Sequence, residues 1–365
     1  MKAHKVPATY YSGWEISALP DRMYVFYKND TSKQGICKRF RDVNKITTEH
    51  SYFMEEDFYY IDFSVEGISF KLENEITDFL NNNNLIIKCN DDLSDEANPS
   101  KILIDDYKKF MSYHLHIDSW EVYDINGQVI SNSDFQKTLN DYIFDKLGKI
   151  IEENYFAHYL ENMWPEIRNS IKTNIAKLNS GDNIVLDKKQ ELLEFFVIQY
   201  LRLDKRIKTD IQPVLDFFSS FFKKEMQADA QTISDMKKDG LLSPEPYFFG
   251  VLLDTARGDK TRINNHIDEI DKNYNIDVLE APAGYSFLTS TSPCIFSKIV
   301  NSSKEEMLFP INHNICLRFR KKQLSSEFGK YIILSTDEIK TINNCIISNS
   351  DDVVISENEY INHLI

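Results

Sequence analysis

The sequence predicts an α+β fold, with an N-terminal β-rich portion and a C-terminal sheet around a central helical layer. Three observations predict it. Runs of β-branched and aromatic residues lie toward both ends, helical periodicity dominates 135–240, and no strand–helix–strand alternation appears. No internal repeat or Pro/Gly/Ser-rich linker interrupts the 365 residues. A single α+β domain is therefore expected, β-rich over 1–72 and 247–365 and mainly helical over 135–240.

Met23 to Tyr27 (MYVFY) reads as a strand, followed by a polar turn over Lys28 to Gly35. Tyr52 to Phe70 is aromatic-rich and broken by acidic residues. A short helix is expected over Glu73 to Leu80, stopped by Asn81 to Asn84, and residues 90–100 read as an acidic surface loop. Asn126-Gly127 between EVYDI and QVIS is a hairpin signal, because the Asn-Gly pair tolerates the positive φ of a tight turn. Phe135 to Leu178 has helical spacing, with Pro165 opening a new helix or kinking a long one. Lys188 to Leu203 and Ile211 to Lys238 are further helices. Strands are expected at Ser286 to Leu288, Cys294 to Ile299, Ile315 to Phe319, Tyr331 to Leu334 and Val353 to Ile355.

Hydrophobic residues make up 42% and aromatics 13%, enough for a sizeable core. A formal charge of −15 weighs against long duplex DNA as a partner, since backbone affinity comes from clustered Lys and Arg. The five cysteines are odd in number and lack C-x-x-C spacing, which argues against a disulfide framework or a zinc knuckle. The start MKAHKVPATYY lacks an apolar signal core, and no run approaches membrane-spanning length, so a cytoplasmic protein is expected. The abundance of Asn, Lys and Ile suggests an AT-rich bacterial genome.

Phe195 to Arg206 (FFVIQYLRLDKR) is the most informative stretch. As a helix it is apolar nearly all round, except for Gln199, Arg202 and Arg206, which fall in one wedge of about 60°. Such a helix is normally buried, and a buried guanidinium needs an anionic partner. One reading is an anion pocket, joined by Lys2 and His4 if the N-terminal strand lies alongside. The other is an internal ion pair with Glu153 or Glu161. Thr289 and Ser290 open a hydroxyl-rich run to Pro293 that fits either a phosphate cradle or a Ser/Thr turn ended by proline.

His114, His116 and Asp118 would share one face of a strand. They are then either three metal ligands or a solvent-facing polar face, and the solvated face is the better-supported reading, so no metal site is assigned. No phosphate-binding loop, dinucleotide fingerprint, zinc-protease motif or E-x-K nuclease signature occurs, and no motif implies a particular cofactor. Phe217 to Phe222 (FFSSFF) reads as core or as a dimer face.

Several stretches together resemble a known family. These are Lys2-x-His4-x-Val6-Pro7-x-x-Tyr10, Gly13-Trp14, the 199–202 run Q-Y-L-R, Phe287-Leu288-Thr289-Ser290-x-x-Pro293 and Phe309-Pro310-Ile311. In that order they resemble the bacterial domain of unknown function 4238 across nearly the whole chain. The family pattern T-S-D-x-P has Thr291 here in place of its aspartate. The resemblance implies an accessory bacterial protein, a class in which defence against phage is a common role.

Two functions fit these readings. In the first, an enzyme acts on a nucleotide or nucleic-acid end. Arg202 and Arg206 bind the anion, Gln199 orients it, Thr289 and Ser290 cap it, and His4 serves as general acid/base. In the second, a non-catalytic sensor or interaction module, with a protein or homo-oligomeric partner, uses the arginine stripe as a structural ion-pair network.

Overall fold

A computed structural model describes residues 2–4, 8–17, 22–28, 37–42, 54–56, 72–90, 101–201, 244–297, 306–322, 328–350, 353–359 and 363. Along the chain, β1 (Lys2–His4), α1 (Ala8–Tyr11), β2 (Arg22–Tyr27), β3 (Cys37–Asp42) and β4 (Met54–Glu56) come first. They are followed by α2 (Glu73–Asn82), β5 (Ile86–Asn90), β6 (Lys101–Leu103), α3 (Tyr107–Tyr113), β7 (Glu121–Tyr123) and β8 (Val129–Ile130). Next are α4 (Asn132–Gly148), α5 (Glu161–Ile175), β9 (Asn183–Ile184), α6 (Lys189–Leu201), α7 (Pro244–Ala256) and α8 (Thr261–Asn273). The remaining elements are β10 (Tyr274–Glu280), β11 (Thr289–Ser290), β12 (Ile295–Ser297), β13 (Glu306–Pro310), β14 (Ile315–Lys321), β15 (Gly329–Ile333), α9 (Thr336–Asn349) and β16 (Val353–Ser356). The fold is α+β.

Contacts group the chain into two compact units. One comprises Met1, Asp57–Ile151 and Lys208–Arg257; the other comprises Lys2–Glu56, Glu152–Ile207 and Gly258–Ile365.

The first unit holds the antiparallel sheet β6-β5-β7-β8. Phe79 of α2 packs edge-on against Phe135 and Tyr142 of α4. The asparagines do end α2: the Asn83 side chain donates to Phe79 O at 2.8 Å, and Asn84 takes φ 51°. The Asn126-Gly127 hairpin forms as expected, with Gly127 at φ 81° and Asp124 Oδ1 accepting from Asn126 N and Gln128 N. The buried Glu75 carboxylate is met by Arg257.

The strand expected at His114–Asp118 is corrected. Asp106 caps a helix by accepting from Lys109 N, and the chain stays helical through α3 and a 3₁₀ turn, His114–Ser119. Buried Phe110 and Trp120 meet edge to face and hold it there. His114 is buried, with Nδ1 on Met111 O at 2.8 Å, whereas His116 and Asp118 are exposed, so no shared ligand face exists.

A π-wound stretch, Lys149–Leu160, separates α4 from α5, and Pro165 lies early in α5. Proline offers no N–H to the Glu161 carbonyl and crowds it, so a change of winding just upstream is where such a helix relaxes.

Among the described residues, the second unit contains three sheets. β1 pairs with β4, with His4 opposite Met54. A four-stranded antiparallel sheet runs β11-β16-β2-β3, and a six-stranded sheet runs β12-β13-β14-β10-β15-β9, with β10–β15 its parallel pair. Helix α9 places Ile339, Ile342 and Ile346 in a core with Leu279, Leu308 and Cys316 of the larger sheet and Phe26 and Val354 of the smaller. Helices α7, α8 and α9 lie within or overlap the 247–365 stretch that reads as β-rich. In α8, Ile263, Ile267 and Ile270 recur at helical spacing, and α9 opens on a Ser335/Glu338 capping box. The Ile211–Lys238 helix and Phe217 to Phe222 lie outside the described residues.

Candidate functional site

Helix α6 is buried on every side from Leu192 to Tyr200, as its all-round apolar sequence requires. Trp164 of α5 stacks on Phe195 with ring centroids 4.1 Å apart, and Phe196 stacks on Phe319 of β14 at 4.2 Å. Two polar residues are carried into this environment. Glu194 is satisfied: its carboxylate accepts from Tyr155 Oη at 2.8 Å and from Lys260 Nζ at 2.8 and 3.0 Å. Burial, and then the Glu194 charge, push the Tyr155 hydroxyl well above its ordinary range, so it remains a donor.

Gln199 is different. It is 2% exposed, and neither its amide nitrogen nor its carbonyl oxygen has a hydrogen-bond partner among the described residues. The Trp164 indole N–H, on the ring stacked one turn back along α6, is likewise without one. A buried polar group left unpaired costs on the order of 1–3 kcal/mol, so each of these two groups calls for an explanation.

Facing this region is a knot of hydrogen bonds made by the N-terminus. The Tyr10 hydroxyl donates to Pro310 O at 2.5 Å and shares a hydrogen bond with Thr289 Oγ1 at 2.9 Å. Its ring lies against Trp14, Trp164 and Phe309. The Trp14 indole donates to Phe287 O at 2.8 Å, and a Cβ on Gly13 would come within 2.9 Å of Asn312. Ser290 Oγ donates to Ser292 O and accepts from Ser292 N, closing the hydroxyl-rich run on itself. Thr291, in the aspartate's place, is buried at 8% exposure. Helix α6 adjoins this region through Phe196, whose ring meets Phe309 edge to face with centroids 5.5 Å apart, and burial pushes the Tyr200 hydroxyl well up. Burial also raises the Cys294 thiol, which disqualifies it as a nucleophile.

The motifs that are far apart in sequence thus meet in one place. Gly13-Trp14, the Phe287–Pro293 run and Phe309-Pro310-Ile311 interlock around Tyr10, with Phe195 and Phe196 of α6 against Phe309. The family model DUF4238, described as a protein of unknown function, matches residues 4–359. The chain belongs to DUF4238. No curated protein and no solved structure matches this DUF4238 chain.

Of the residues singled out in the sequence, Thr289 and Ser290 come to this region of the DUF4238 fold, and Gln199 lies on the helix whose Phe195 and Phe196 pack against Phe309. The His4 backbone pairs in β1, while its side chain, Arg202 and Arg206 lie outside what is described. Among the described residues, no cluster of three His, Cys, Asp or Glu is arranged to hold a metal ion.

Sequence reasoning missed Trp164 and the Glu194–Lys260 pair, and it picked out Tyr10 only within a family-resembling motif, with no role assigned to it. It also missed Asp277 on β10, which is fully buried and accepts from Arg318 and Arg320. The signal was available in YNIDVLE, where Asn275 and Asp277 alternate with Ile276 and Val278, a period of two. Beside them Glu306 is pushed up by burial, and Arg318 partly offsets this from 3.9 Å.

Proposed function

We propose that the C-terminal end of α6 forms one wall of a buried binding site for a phosphate-bearing molecule, a nucleotide or a nucleic-acid end. The observation that carries this reading is the unpartnered Gln199 amide; the Trp164 indole N–H, whose ring stacks on Phe195 of the same helix, is also unpartnered among the described residues. An amide and an indole N–H suit a ligand that offers both acceptor oxygens and a donor edge. Arg202 and Arg206, three and seven residues further along the sequence, supply the charge, because a guanidinium fork matches a phosphate. Thr289 and Ser290 are already engaged with Tyr10 and Ser292, so their part is to shape the loop. His4 is the acid/base assigned to hydrolysis of the substrate. The setting is a cytoplasmic bacterial accessory protein, with phage defence the role that best suits nucleotide chemistry. Among the described residues no helix is long and apolar enough to cross a membrane.

A second reading has its own support. The hydroxyls of Thr289 and Ser290 and the charges of Glu194 and Asp277 are all met internally, as a non-catalytic sensor or interaction module would have them.

Thermal shift and calorimetry on wild type, Gln199→Met and Arg202→Lys, with ATP, NAD and short oligonucleotides, separate the two. Under the first reading one ligand at ~100 times its Kd stabilises wild type by roughly 2.7 kcal/mol, and both variants lose that gain while still folding. If Gln199→Met is more stable than wild type and no ligand shifts either protein, the module reading stands and the binding site is refuted.

A further inference from the structure

A cavity of about 390 Å³ in the second unit lies apart from the α6 region. Its walls are Lys172 and Ile175 from the last turn of α5, Glu280 at the end of β10, Asn314 and Ile315, and Tyr331 of β15. The volume is in the lower part of the range for small-molecule sites.

The polar groups are arranged in a particular way. In the parallel β10–β15 pairing Tyr331 sits opposite Val278, two residues before Glu280 and on the same face. The Tyr331 hydroxyl donates to Glu280 Oε2, which holds the carboxylate in place. Burial, and then Glu280 itself, push that hydroxyl up to about 12, so it stays a donor across the physiological range. Glu280 Oε1 makes no hydrogen bond among the described residues. The last turn of α5 presents the negative end of its helix to the same cavity. Both features favour a cation.

Lys172 lines the same cavity without forming an ion pair with Glu280 or with any other described residue, and the Asn314 side-chain amide is also unengaged there. The cavity therefore holds one negative group, held by Tyr331, and one exposed positive group, not paired with each other. Ile175 and Ile315 supply apolar surface between them.

We propose that this cavity binds a small zwitterion carrying one ammonium and one carboxylate, a free α-amino acid. The ammonium sits on Glu280 and the helix end, the carboxylate on Lys172 and Asn314, and the side chain lies against Ile175 and Ile315. Net charge is conserved on binding, so no buried charge is left uncompensated.

The full-length protein is titrated calorimetrically with each of the twenty amino acids. Putrescine (ammonium without acid) and succinate (acid without ammonium) serve as controls. At least one amino acid binds wild type, and both controls bind about tenfold or more weakly. Glu280→Gln weakens the amino acid about tenfold or more, as expected for losing a charged hydrogen bond. Lys172→Met, at an exposed position that leaves the fold intact, weakens the amino acid but not putrescine. The proposal is overturned if no amino acid binds wild type at about 10 mM. It is equally overturned if putrescine binds as tightly, or if Lys172→Met keeps full amino-acid affinity. Neither variant touches Gln199 or Arg202, so failure here is independent of the proposed phosphate site.

Discussion

Asp277→Asn tests the reading of the six-stranded sheet. Asp277 is fully buried and its carboxylate accepts five hydrogen bonds. Arg318 Nε at 3.1 Å, Arg318 Nη2 at 2.8 Å and Arg320 Nε at 3.1 Å reach Oδ2. Arg320 Nη2 at 3.2 Å and Lys330 N at 2.9 Å reach Oδ1. Asparagine keeps the shape but turns one acceptor into a donor facing donors, and it leaves the two guanidiniums only Glu306, 3.9 Å from Arg318, as countercharge. Breaking a buried pair in this way costs about 3–5 kcal/mol. The two arginine side chains retain 22% and 20% exposure, so solvent takes up part of the unpaired charge, and about 3 kcal/mol is the expected loss. In a unit of 150–250 residues that corresponds to roughly 6–12 °C in Tm. Urea unfolding and calorimetry of the full chain measure it. The double variant Asp277→Asn, Arg320→Met should recover part of the loss, since it removes one of the orphaned charges. A loss below about 1 kcal/mol for the single variant would show that the arginines are solvated without Asp277 and would refute the argument.

Two further perturbations follow from burial and backbone packing. His266 is buried in α8, and burial, aided by Arg262, lowers its pKa to about 4. The unfolded chain takes up a proton near 6.5 that the folded state refuses. Stability is therefore complete above about 6.5, falls as pH drops from 6.5 to 4, and loses on the order of 3 kcal/mol in all. His266→Gln should flatten that slope, and parallel unfolding curves for the two proteins would contradict the assignment. Gly329→Ala would put a Cβ 1.9 Å from the Ile276 carbonyl oxygen, a backbone atom that cannot give way without parting β10 from β15. A loss of about 3 kcal/mol by urea titration is expected, and a variant of wild-type stability would contradict it.

Several elements were legible in the sequence because their signals are local. The Asn126-Gly127 hairpin, the end of α2 at its asparagines, the strand at β2 and the burial of α6 all follow from a few neighbouring residues. His114–Asp118 misled because alternating polarity over five residues fits a strand, while the deciding facts were the Asp106 cap upstream and the Phe110–Trp120 contact. β10 and α9 were missed although alternation in YNIDVLE and the Ser335/Glu338 box marked them. For the candidate site, the sequence pointed to Gln199 and to the Thr289 loop, and to Tyr10 as a motif residue, but not to the bond by which Tyr10 joins that loop to Pro310.

What the sequence determined by itself was that α6 must be buried and that every polar group on it would need an answer. Near-continuous apolarity and helical spacing are properties of a few consecutive residues, here Leu192 to Tyr200. Only the tertiary structure decided what those answers are. Glu194 is met by Lys260, 66 residues away, and Thr289 by Tyr10, 279 residues away, while Gln199 is met by nothing described. A partner across such distances is chosen by how sheets and helices register against one another, and pairing register is a property of the folded chain as a whole.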